Sequence, residues 1–399
     1  MTRTRNTSTT IAFIQPFVPS YRVGLFDAIA ARLDREGLKL EVWHAEPKGI
    51  VAARRNSSSG PWSVPIVQHR VSVARRNVTF RAIHRKARHV RAVVTGLASS
   101  SLETYLLAAD PRVNMMLWGH GRNYTAGNNG VDARLESWLC SRASQVFTYT
   151  AQGAAHLAES GVPSGMISTV VNTTDTARLR RSKDGADNTA LATMRARLGI
   201  GNGPVALFVG AFDVPKRLPF LFEACDIVRR SLPDFELVLA GAGPLDAYVA
   251  EETARRDYVR LAGRLELDEL AVASNMVDTI LIPGRVGLVA VDSLALGVPI
   301  ITTRFPFHAP EADYLNDQNS VWTDDDVESY AASILQVFSD PERLASLKAT
   351  AAQDGDEYSA EKSADNFVDG ILRGLGIQPV VKTIAAKDAP RSVDRALSD

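Results

Sequence analysis

Short continuous apolar runs alternate with helix-like periodicities along most of the chain, and this alternation limits the fold more than any other feature. In the first half, runs rich in β-branched residues predict seven strands, at residues 11–15, 38–43, 63–67, 92–95, 113–117, 145–148 and 166–170. Continuous rather than alternating apolar runs are typical of strands that are buried on both faces. Repeated strand, helix, strand units of this kind require a parallel sheet with right-handed crossovers. Residues 1–185 are therefore predicted to form a doubly wound α/β domain.

The same alternation restarts after a polar, glycine-containing stretch at residues 177–203, which we interpret as the linker between two domains. Strands are predicted at residues 205–209, 235–240, 258–261, 279–282 and 298–302. Helical patterns lie between them, near 217–231, 244–255, 266–274 and 287–296. Residues 186–357 are therefore predicted to form a second doubly wound domain.

Two segments follow the second predicted domain. The helical pattern at residues 358–375 is expected to form a helix that crosses back to the first domain. Residues 376–399 are rich in Ala, Lys and Asp and show no hydrophobic period, which predicts a disordered tail.

The composition excludes several classes of protein. With 399 residues, 45% of them hydrophobic, the chain can build two cores. The two cysteines, Cys140 and Cys225, lie far apart and outside any CxxC or Cys/His cluster, which argues against a structural zinc site and favours a reducing, cytoplasmic location. The apolar run at residues 11–14 is too short for a signal core. No stretch approaches the roughly 20 apolar residues of a membrane-spanning helix, so we expect at most peripheral contact with the inner face of the plasma membrane.

The charge is distributed unevenly along the chain. Residues 1–200 carry 27 basic and 13 acidic side chains, whereas residues 201–399 carry 18 basic and 32 acidic side chains. Between Glu46 and Glu103 there is no acidic residue and there are eleven Lys or Arg residues. A chain polarised in this way attracts anions to its first half.

One part of this basic region has helical spacing. Apolar residues recur at Phe80, Ile83, Ala87 and Val90, which predicts a basic amphipathic helix. Its predicted membrane or acceptor face carries Arg81, Arg85, Lys86 and Arg88. Each cation near an anionic surface contributes about 1 kcal/mol to docking. The alternative is an ordinary solvated helix face. Nucleic acid is not an expected partner because no interleaved aromatic residues or known binding module accompany the charges.

The second predicted domain carries a candidate phosphate site. Gly210 ends the first strand of that domain, and Lys216 and Arg217 follow at the start of a helix. A helix N-terminus offers free N–H groups and a favourable dipole, and adjacent cations add formal charge, so this arrangement suits a phosphate. The alternative is a glycine turn followed by solvated charges.

A second glycine-rich loop leaves the predicted strand at residues 279–282 and opens a helix near Gly287. Asp292 is the single acid on that helix and lies among apolar neighbours, so it needs a partner. A ribose diol would supply two hydroxyl donors. The alternatives are a buried cap or an ion pair with a neighbouring residue.

Together with the turns Gly241-Ala-Gly243-Pro244 and Gly263-Arg264, these two segments resemble the donor half of retaining glycosyltransferases of the GT-B fold, family 4, also called glycosyl transferases group 1. Three segments of the first half also match that family, namely residues 15–26, Trp118-Gly-His120-Gly121 and residues 171–176. The motifs occur in the family's order over about residues 10–375.

The resemblance implies two Rossmann-like domains that face each other across a cleft, with the first binding the acceptor and the second binding a nucleotide sugar of the UDP or GDP type. It implies transfer of the sugar to a hydroxyl of a glycan, glycolipid or small molecule with retention, with no tightly bound cofactor and no metal. The pathway would be the synthesis of a cell-envelope polysaccharide, a glycolipid or a secondary metabolite.

The resemblance also implies a set of site residues. The catalytic candidates are His120, Arg22 and Lys216. The donor-binding candidates are Gly210, Lys216, Arg217, Gly241, Gly263, Arg264, Leu265, Arg285, Val286, Gly287, Leu288 and Asp292. His120 follows a predicted strand and so belongs at the carboxyl edge of the sheet, where ligands bind in open parallel sheets. A satisfied structural histidine is the alternative. Glu311 matches a loop glutamate of the family, and an exposed loop residue is the alternative.

Retaining transfer through a covalent intermediate needs two carboxyl groups about 5 Å apart. No such pair stands out in the sequence. The resemblance implies front-face displacement instead, with Lys216 and helix N-termini stabilising the leaving diphosphate.

This chain departs from the family pattern at two positions. Gly284 occupies the place of the first glutamate of the family's paired-glutamate motif, and Ala211 replaces the arginine that usually follows Gly210. We interpret these changes as an altered donor-sugar preference. A catalytically silent nucleotide-binding or scaffold protein and a sugar-nucleotide epimerase remain as alternatives.

Overall fold

The computed structural model describes residues 8–46, 57–73, 76–98, 100–121 and 130–377. The predicted disordered tail at 376–399 lies outside the described residues from 378 onward. Among the basic residues of the acid-free stretch, Lys48, Arg54, Arg55 and Arg75 also lie outside them.

The first domain is built on a seven-stranded sheet. Its strands are β1 (Thr10–Gln15), β2 (Lys39–His44), β3 (Ser63–Pro65), β6 (Ala92–Gly96), β7 (Met115–Gly119), β8 (Val146–Thr148) and β9 (Ile167–Thr169). They lie in the order β3-β2-β1-β6-β7-β8-β9 and every pair is parallel. An antiparallel hairpin of β4 (Gln68–Val73) and β5 (Arg76–Arg81) lies outside this sheet.

The second domain is built on a six-stranded parallel sheet. Its strands are β10 (Val205–Val209), β11 (Glu236–Ala240), β12 (Val259–Gly263), β13 (Thr279–Ile282), β14 (Ile300–Thr303) and β15 (Ser320–Thr323). They lie in the order β12-β11-β10-β13-β14-β15. In both sheets, successive strands are added first on one side of the first strand and then on the other. This is the doubly wound arrangement expected from the sequence.

Helices cover the faces of both sheets. In the first half they are α1 (Val23–Asp34), α2 (His84–Ala87), α3 (Leu102–Ala109), α4 (Gly130–Arg142), α5 (Ala151–Glu159), α6 (Thr176–Asp184) and α7 (Asn188–Leu198). In the second half they are α8 (Leu218–Ser231), α9 (Asp246–Ala254), α10 (Leu267–Ser274), α11 (Val289–Leu296), α12 (Val327–Ser339), α13 (Pro341–Asp354) and α14 (Ala360–Gly374).

Apolar spacing explains how these helices pack. In α8 the buried residues include Leu218, Leu221, Cys225 and Val228, which recur every three or four positions and so form one face. That face joins a core with the strands of the second sheet. Residues of α14, among them Phe367, instead pack with the first sheet, so the chain returns to its first domain at the end.

Residues 177–203, interpreted as a linker, contain most of α6 and all of α7. Leu179 of α6 and Leu198 of α7 belong to the core of the second sheet. The polar sequence of this stretch therefore covers the outer faces of two helices rather than an extended connection.

The predicted basic amphipathic helix beginning at Phe80 is wrong. Residues 76–81 pair with β4 as strand β5, and the helix that follows, α2, has only four residues. Ile83, Ala87 and Val90 are buried, as the spacing implied. Pairing across the hairpin overrode the local helical period, because it satisfies the backbone of residues 76–81 in another way.

Candidate functional site

The two sheets place the predicted site segments at their carboxyl edges. In the second sheet, β10 and β13 are neighbours, and the connections that leave them run in opposite directions. Gly210 follows β10, and residues 283–288 follow β13. A crevice at such a reversal point is where open parallel sheets bind ligands. The fold therefore brings together the two glycine-rich segments that the sequence singled out separately.

Lys216 lies at the centre of this crevice. It is half-buried, and its ammonium donates to the carbonyl of Arg285 at 2.6 Å, so the loop after β10 is fastened to the loop after β13. Burial lowers the pKa of Lys216 to about 8, and the nearby Arg285 adds to this effect while Asp213 opposes it. Lys216 is thus a desolvated cation that gains from an anion beside it.

Gly284 allows this close contact between the two loops. A Cβ built on Gly284 would lie 2.2 Å from the carbonyl oxygen of Pro215 and 2.8 Å from the carbonyl carbon of Lys216. The Arg285 N–H donates to the same Pro215 oxygen at 2.8 Å. No side chain fits at position 284 without moving the Lys216 loop, so glycine is required by packing.

The start of α11 offers backbone donors near Lys216. Val286 is one of the donor-binding candidates, but its N–H donates to His308 Nδ1 at 3.1 Å. The N–H groups of Gly287 and Leu288 have no acceptor among the residues that the structure describes. Free N–H groups at a helix start, beside a buried cation, form an arrangement suited to an anion.

Asp292 projects from α11 and is half-buried. Its carboxylate accepts a hydrogen bond from Thr174 Oγ1 at 2.8 Å. Burial raises its pKa to about 6, against the opposing effect of the Thr174 hydrogen bond. The partner required by the sequence argument is therefore a hydroxyl from the segment that connects the two sheets.

His308 and Glu311 follow β14 and lie next to the loop at residues 283–288. His308 accepts from Val286 through Nδ1 and lies 2.9 Å from the Thr303 carbonyl oxygen through Nε2, which fixes a neutral ring. Burial lowers its pKa. Glu311 is 4% exposed and accepts a hydrogen bond from Asn172 Nδ2. The alternative of an exposed loop glutamate is therefore wrong.

The opposite wall of the cleft carries Arg22, in the turn that follows β1. Its guanidinium donates to Gln15 Oε1 at 2.8 Å and to the Tyr149 hydroxyl at 3.1 Å. It also lies 4.6 Å from the centre of the Trp118 ring. These contacts hold Arg22 in one orientation.

His120 follows β7, and its ring centre is 5.0 Å from that of Tyr149. The side chain is exposed, yet the surrounding protein desolvates the ring enough to lower its pKa, and Arg22 and Arg285 add to this effect. Because Arg22 belongs to the first domain and Arg285 to the second, positive charges from both walls of the cleft disfavour protonation of His120.

The other donor-site candidates take different positions. Gly241 packs against Gly210, since a Cβ on Gly241 would lie 1.9 Å from the Gly210 carbonyl oxygen. Gly263 and Arg264 are exposed at the end of β12, and Leu265 is half-buried. Arg217 forms an ion pair with Asp325 and lies 4.3 Å from the centre of the Phe220 ring, so a carboxylate already balances its charge.

The four cations predicted as a membrane or acceptor face do not form one surface. Arg81 is buried and ion-paired with the fully buried Glu103. Arg88 Nε lies 2.6 Å from Asp110. Lys86 lies 4.4 Å from the centre of the Trp43 ring, and Arg85 is exposed. The local sequence could not show that Arg81 and Arg88 pair with Glu103 and Asp110, because each acid lies 22 residues away.

The part of the chain that the structure describes contains neither a helix suited to cross a membrane nor a metal-binding cluster of side chains. None of the helices there is long and apolar enough to cross a membrane. No group of three or more His, Cys, Asp or Glu side chains is arranged there to hold a metal ion.

Two facing doubly wound domains with this strand order define the GT-B class of fold, and comparison with solved structures agrees. A glycosyltransferase from Rickettsia africae superposes with a TM-score of 0.70 at 13% identity, covering 92% of this chain and 99% of that chain. Anabaena HepE in complex with UDP-glucose superposes with a TM-score of 0.64 at 13% identity, covering 91% of this chain and 99% of that chain.

Within that class, residues 203–340 match the family model described as glycosyl transferases group 1. A GDP-mannose-dependent alpha-(1-6)-phosphatidylinositol monomannoside mannosyltransferase from Mycolicibacterium smegmatis is 27% identical over 174 residues. That match covers 40% of this chain and 45% of the relative. The chain thus spans about half the length of the curated relatives it matches.

Proposed function

We propose that the protein transfers a sugar from a nucleotide sugar to an acceptor hydroxyl with retention of anomeric configuration. The observation that carries this proposal is the crevice formed by Lys216 and the start of α11. Lys216 is half-buried and donates to the carbonyl of Arg285, and the N–H groups of Gly287 and Leu288 belong to the same loop as Arg285. This set of donors suits a diphosphate, and the charge on a leaving diphosphate grows as the glycosidic bond breaks.

The remaining site residues have roles consistent with this reaction. Asp292, one turn into α11, would exchange its hydroxyl partner Thr174 for the ribose hydroxyls of the nucleotide. The lowered pKa of His120 keeps its ring neutral near pH 7, so it can exchange a hydrogen bond with the sugar or the acceptor. Gly263 to Leu265 would lie beside the base, as the family resemblance implies.

The carboxylates of the site favour front-face displacement over a covalent intermediate. Glu311 accepts from Asn172, and Asp292 is assigned to the ribose hydroxyls in place of Thr174, so neither is left as a free nucleophile. A double displacement would require a free carboxylate nucleophile and a second acid about 5 Å away. We therefore assign retention to a mechanism in which the departing diphosphate itself takes the acceptor proton.

The comparisons support a nucleotide-sugar donor without naming its base. One structural neighbour contains UDP-glucose, and one curated relative is named as GDP-mannose-dependent. The same relative is named for a phosphatidylinositol mannoside acceptor, which favours a lipid-linked or envelope glycan as the acceptor class.

The test is to incubate the purified protein with a panel of UDP-, GDP-, ADP- and dTDP-sugars. Turnover is measured as release of the nucleoside diphosphate. Proton NMR of the first sugar released or transferred reports its anomeric configuration. We expect an α-linked donor to give an α product and Lys216→Ala to abolish release. An inverted product would contradict front-face displacement. Binding without turnover of any donor would favour the silent, nucleotide-binding alternative.

A further inference from the structure

Three cations in the cleft have no carboxylate partner within the described parts of the chain. Arg22, Lys216 and Arg285 form no ion pair within 4.0 Å with any acid in the part of the chain that the structure describes. Other arginines of the described residues do form such pairs. The paired set includes Arg81, Arg88, Arg112, Arg178, Arg217 and Arg256. Unbalanced cations that converge in a cleft attract anions.

Arg22 is separate from the other two cations. Lys216 and Arg285 belong to the loops after β10 and β13, where a diphosphate would lie. Arg22 belongs to the turn after β1, on the first-domain wall. His120 lies on the same wall as Arg22, since both contact Tyr149. A diphosphate held by the second domain therefore does not account for Arg22.

Arg22 is also prepared to bind an acid. Gln15, Tyr149 and Trp118 fix the plane of its guanidinium. Its Nε is buried and has no acceptor among the described residues. A planar, pre-oriented guanidinium matches the two oxygens of a carboxylate or phosphate, and little side-chain freedom is lost on binding.

No acid among the residues that the structure describes takes this place. Glu311 contributes to the electrostatic potential at Arg22, but its carboxylate accepts from Asn172. Gly284, which occupies the family's glutamate position, has no carboxylate that would repel an acidic substrate. The surroundings of Arg22 therefore favour an anionic group from outside the protein.

We propose that Arg22 binds an acidic group, a carboxylate or a phosphate, that the substrate carries next to the reacting atoms. This inference rests on the proposed function, because it takes the diphosphate of the donor as already bound by Lys216 and α11. The acid belongs either to the transferred sugar, as a uronate, or to the acceptor, as a phosphate.

The test is calorimetric titration of the full chain with inorganic phosphate and with glucuronate, with glycerol and glucose as the neutral probes. The nucleotide that binds most tightly is kept at saturation so that phosphate cannot occupy the diphosphate site. The proteins are the wild type, Arg22→Gln, Arg22→Lys and the control Arg197→Gln, which removes an exposed arginine of α7.

We expect the acid probe to bind about tenfold more weakly to Arg22→Gln, with Arg22→Lys intermediate and Arg197→Gln unchanged. Arg22→Lys keeps the charge, and unfolding midpoints identify any variant that has lost its fold. Arg22-dependent binding of glucuronate supports an acidic sugar, and Arg22-dependent binding of phosphate supports an acidic acceptor. Acid binding that is absent, or equal in wild type and Arg22→Gln, overturns the proposal.

Failure of the proposed function is recognised separately. Nucleotide binding is measured before the acid titrations and does not involve Arg22. If the proposed function is wrong, no nucleotide binds. In that case the glucuronate titration is made on the free protein, and its dependence on Arg22 still decides the inference.

Discussion

Lys216 combines burial, a positive charge and a fixed position between two loops. We expect Lys216→Ala to weaken nucleoside diphosphate binding about tenfold or more, since a hydrogen bond to a charged group is worth about 1.5–3 kcal/mol. Lys39→Ala, which removes an exposed lysine at the start of β2, is the matched control. Isothermal titration calorimetry with the preferred nucleotide measures both variants.

The same residue predicts a pH dependence. Its pKa in the folded, unliganded protein is about 8, and only the protonated ammonium attracts phosphate. Wild-type affinity should therefore fall as the pH rises through about 8. The affinity of Lys216→Ala should stay flat over that range. Parallel slopes in the two proteins would show that Lys216 does not contact the diphosphate.

Gly284 provides a second test at the residue scale. Gly284→Ala places a Cβ 2.2 Å from the Pro215 carbonyl oxygen, so the Lys216 loop must move. Overpacking of this kind costs about 1–3 kcal/mol of unfolding free energy. Gly201→Ala is the control, because nothing lies within 4 Å of its added Cβ. Chemical denaturation should separate the two variants, and equal stability would contradict the packing argument.

The two departures from the family pattern show what the sequence could and could not reveal at this scale. The sequence around Gly284 correctly predicted a loop followed by a helix, because glycine spacing and helical periodicity are local features. The reason for glycine at that position was not visible, because Pro215 lies 69 residues earlier in the chain. The Val286 N–H was likewise assigned to a ligand although His308 takes it.

At the scale of elements, α11 is an apolar helix with one acid. Asp292 has a raised pKa of about 6, so between about pH 4, the ordinary Asp range, and about pH 6 the folded state binds more protons than the unfolded state. Stability therefore falls over that interval as the pH rises. Asp292→Asn removes this cost, so its stability relative to wild type should increase from pH 4 to pH 6.

The measurement is thermal unfolding of both proteins across that interval, together with nucleotide titration. We expect Asp292→Asn to bind nucleotide more weakly while being at least as stable as wild type near neutral pH. A variant that is less stable and binds normally would identify Asp292 as a structural residue only.

The hairpin of β4 and β5 is held to the first domain by a buried ion pair. Arg81→Ala leaves the buried Glu103 carboxylate without its partner, which costs about 3–5 kcal/mol of unfolding free energy. Arg85→Ala changes an exposed neighbour and should have almost no effect. Urea denaturation compares them. Equal effects would mean that Arg81 lies on the surface, as the amphipathic-helix prediction required.

Twelve of the thirteen described strands in the two parallel sheets were predicted within a few residues, because continuous β-branched runs of this length have few alternatives. Three strands were missed. β15 has only four residues, and the hairpin strands β4 and β5 lack a continuous apolar run. The segment near Phe80 was wrongly predicted to be helical, because its partners, β4 and Glu103, lie beyond the few residues over which helical spacing was judged.

At the scale of the whole molecule, the segment between the two sheets is tied to both. Thr174 bonds Asp292, the Asn172 N–H donates to the Tyr314 hydroxyl, and that hydroxyl donates to the Tyr149 carbonyl oxygen. Val171 has a φ of 39°, an unfavourable value for a β-branched residue. The relative position of the two walls is therefore held by specific hydrogen bonds, one of which involves the donor-binding candidate Asp292.

The central claim is that the second domain is a working nucleotide-sugar site. Its most direct test is a thermal-unfolding screen of the purified full chain against UDP, GDP, ADP and dTDP, with one sugar conjugate of each. A nucleotide at about 100 times its dissociation constant should stabilise the folded state by roughly 2.7 kcal/mol. We predict a clear shift with one base, reduced in Lys216→Ala and kept in Lys39→Ala. No shift with any nucleotide, or an equal shift in Lys216→Ala, would contradict the account.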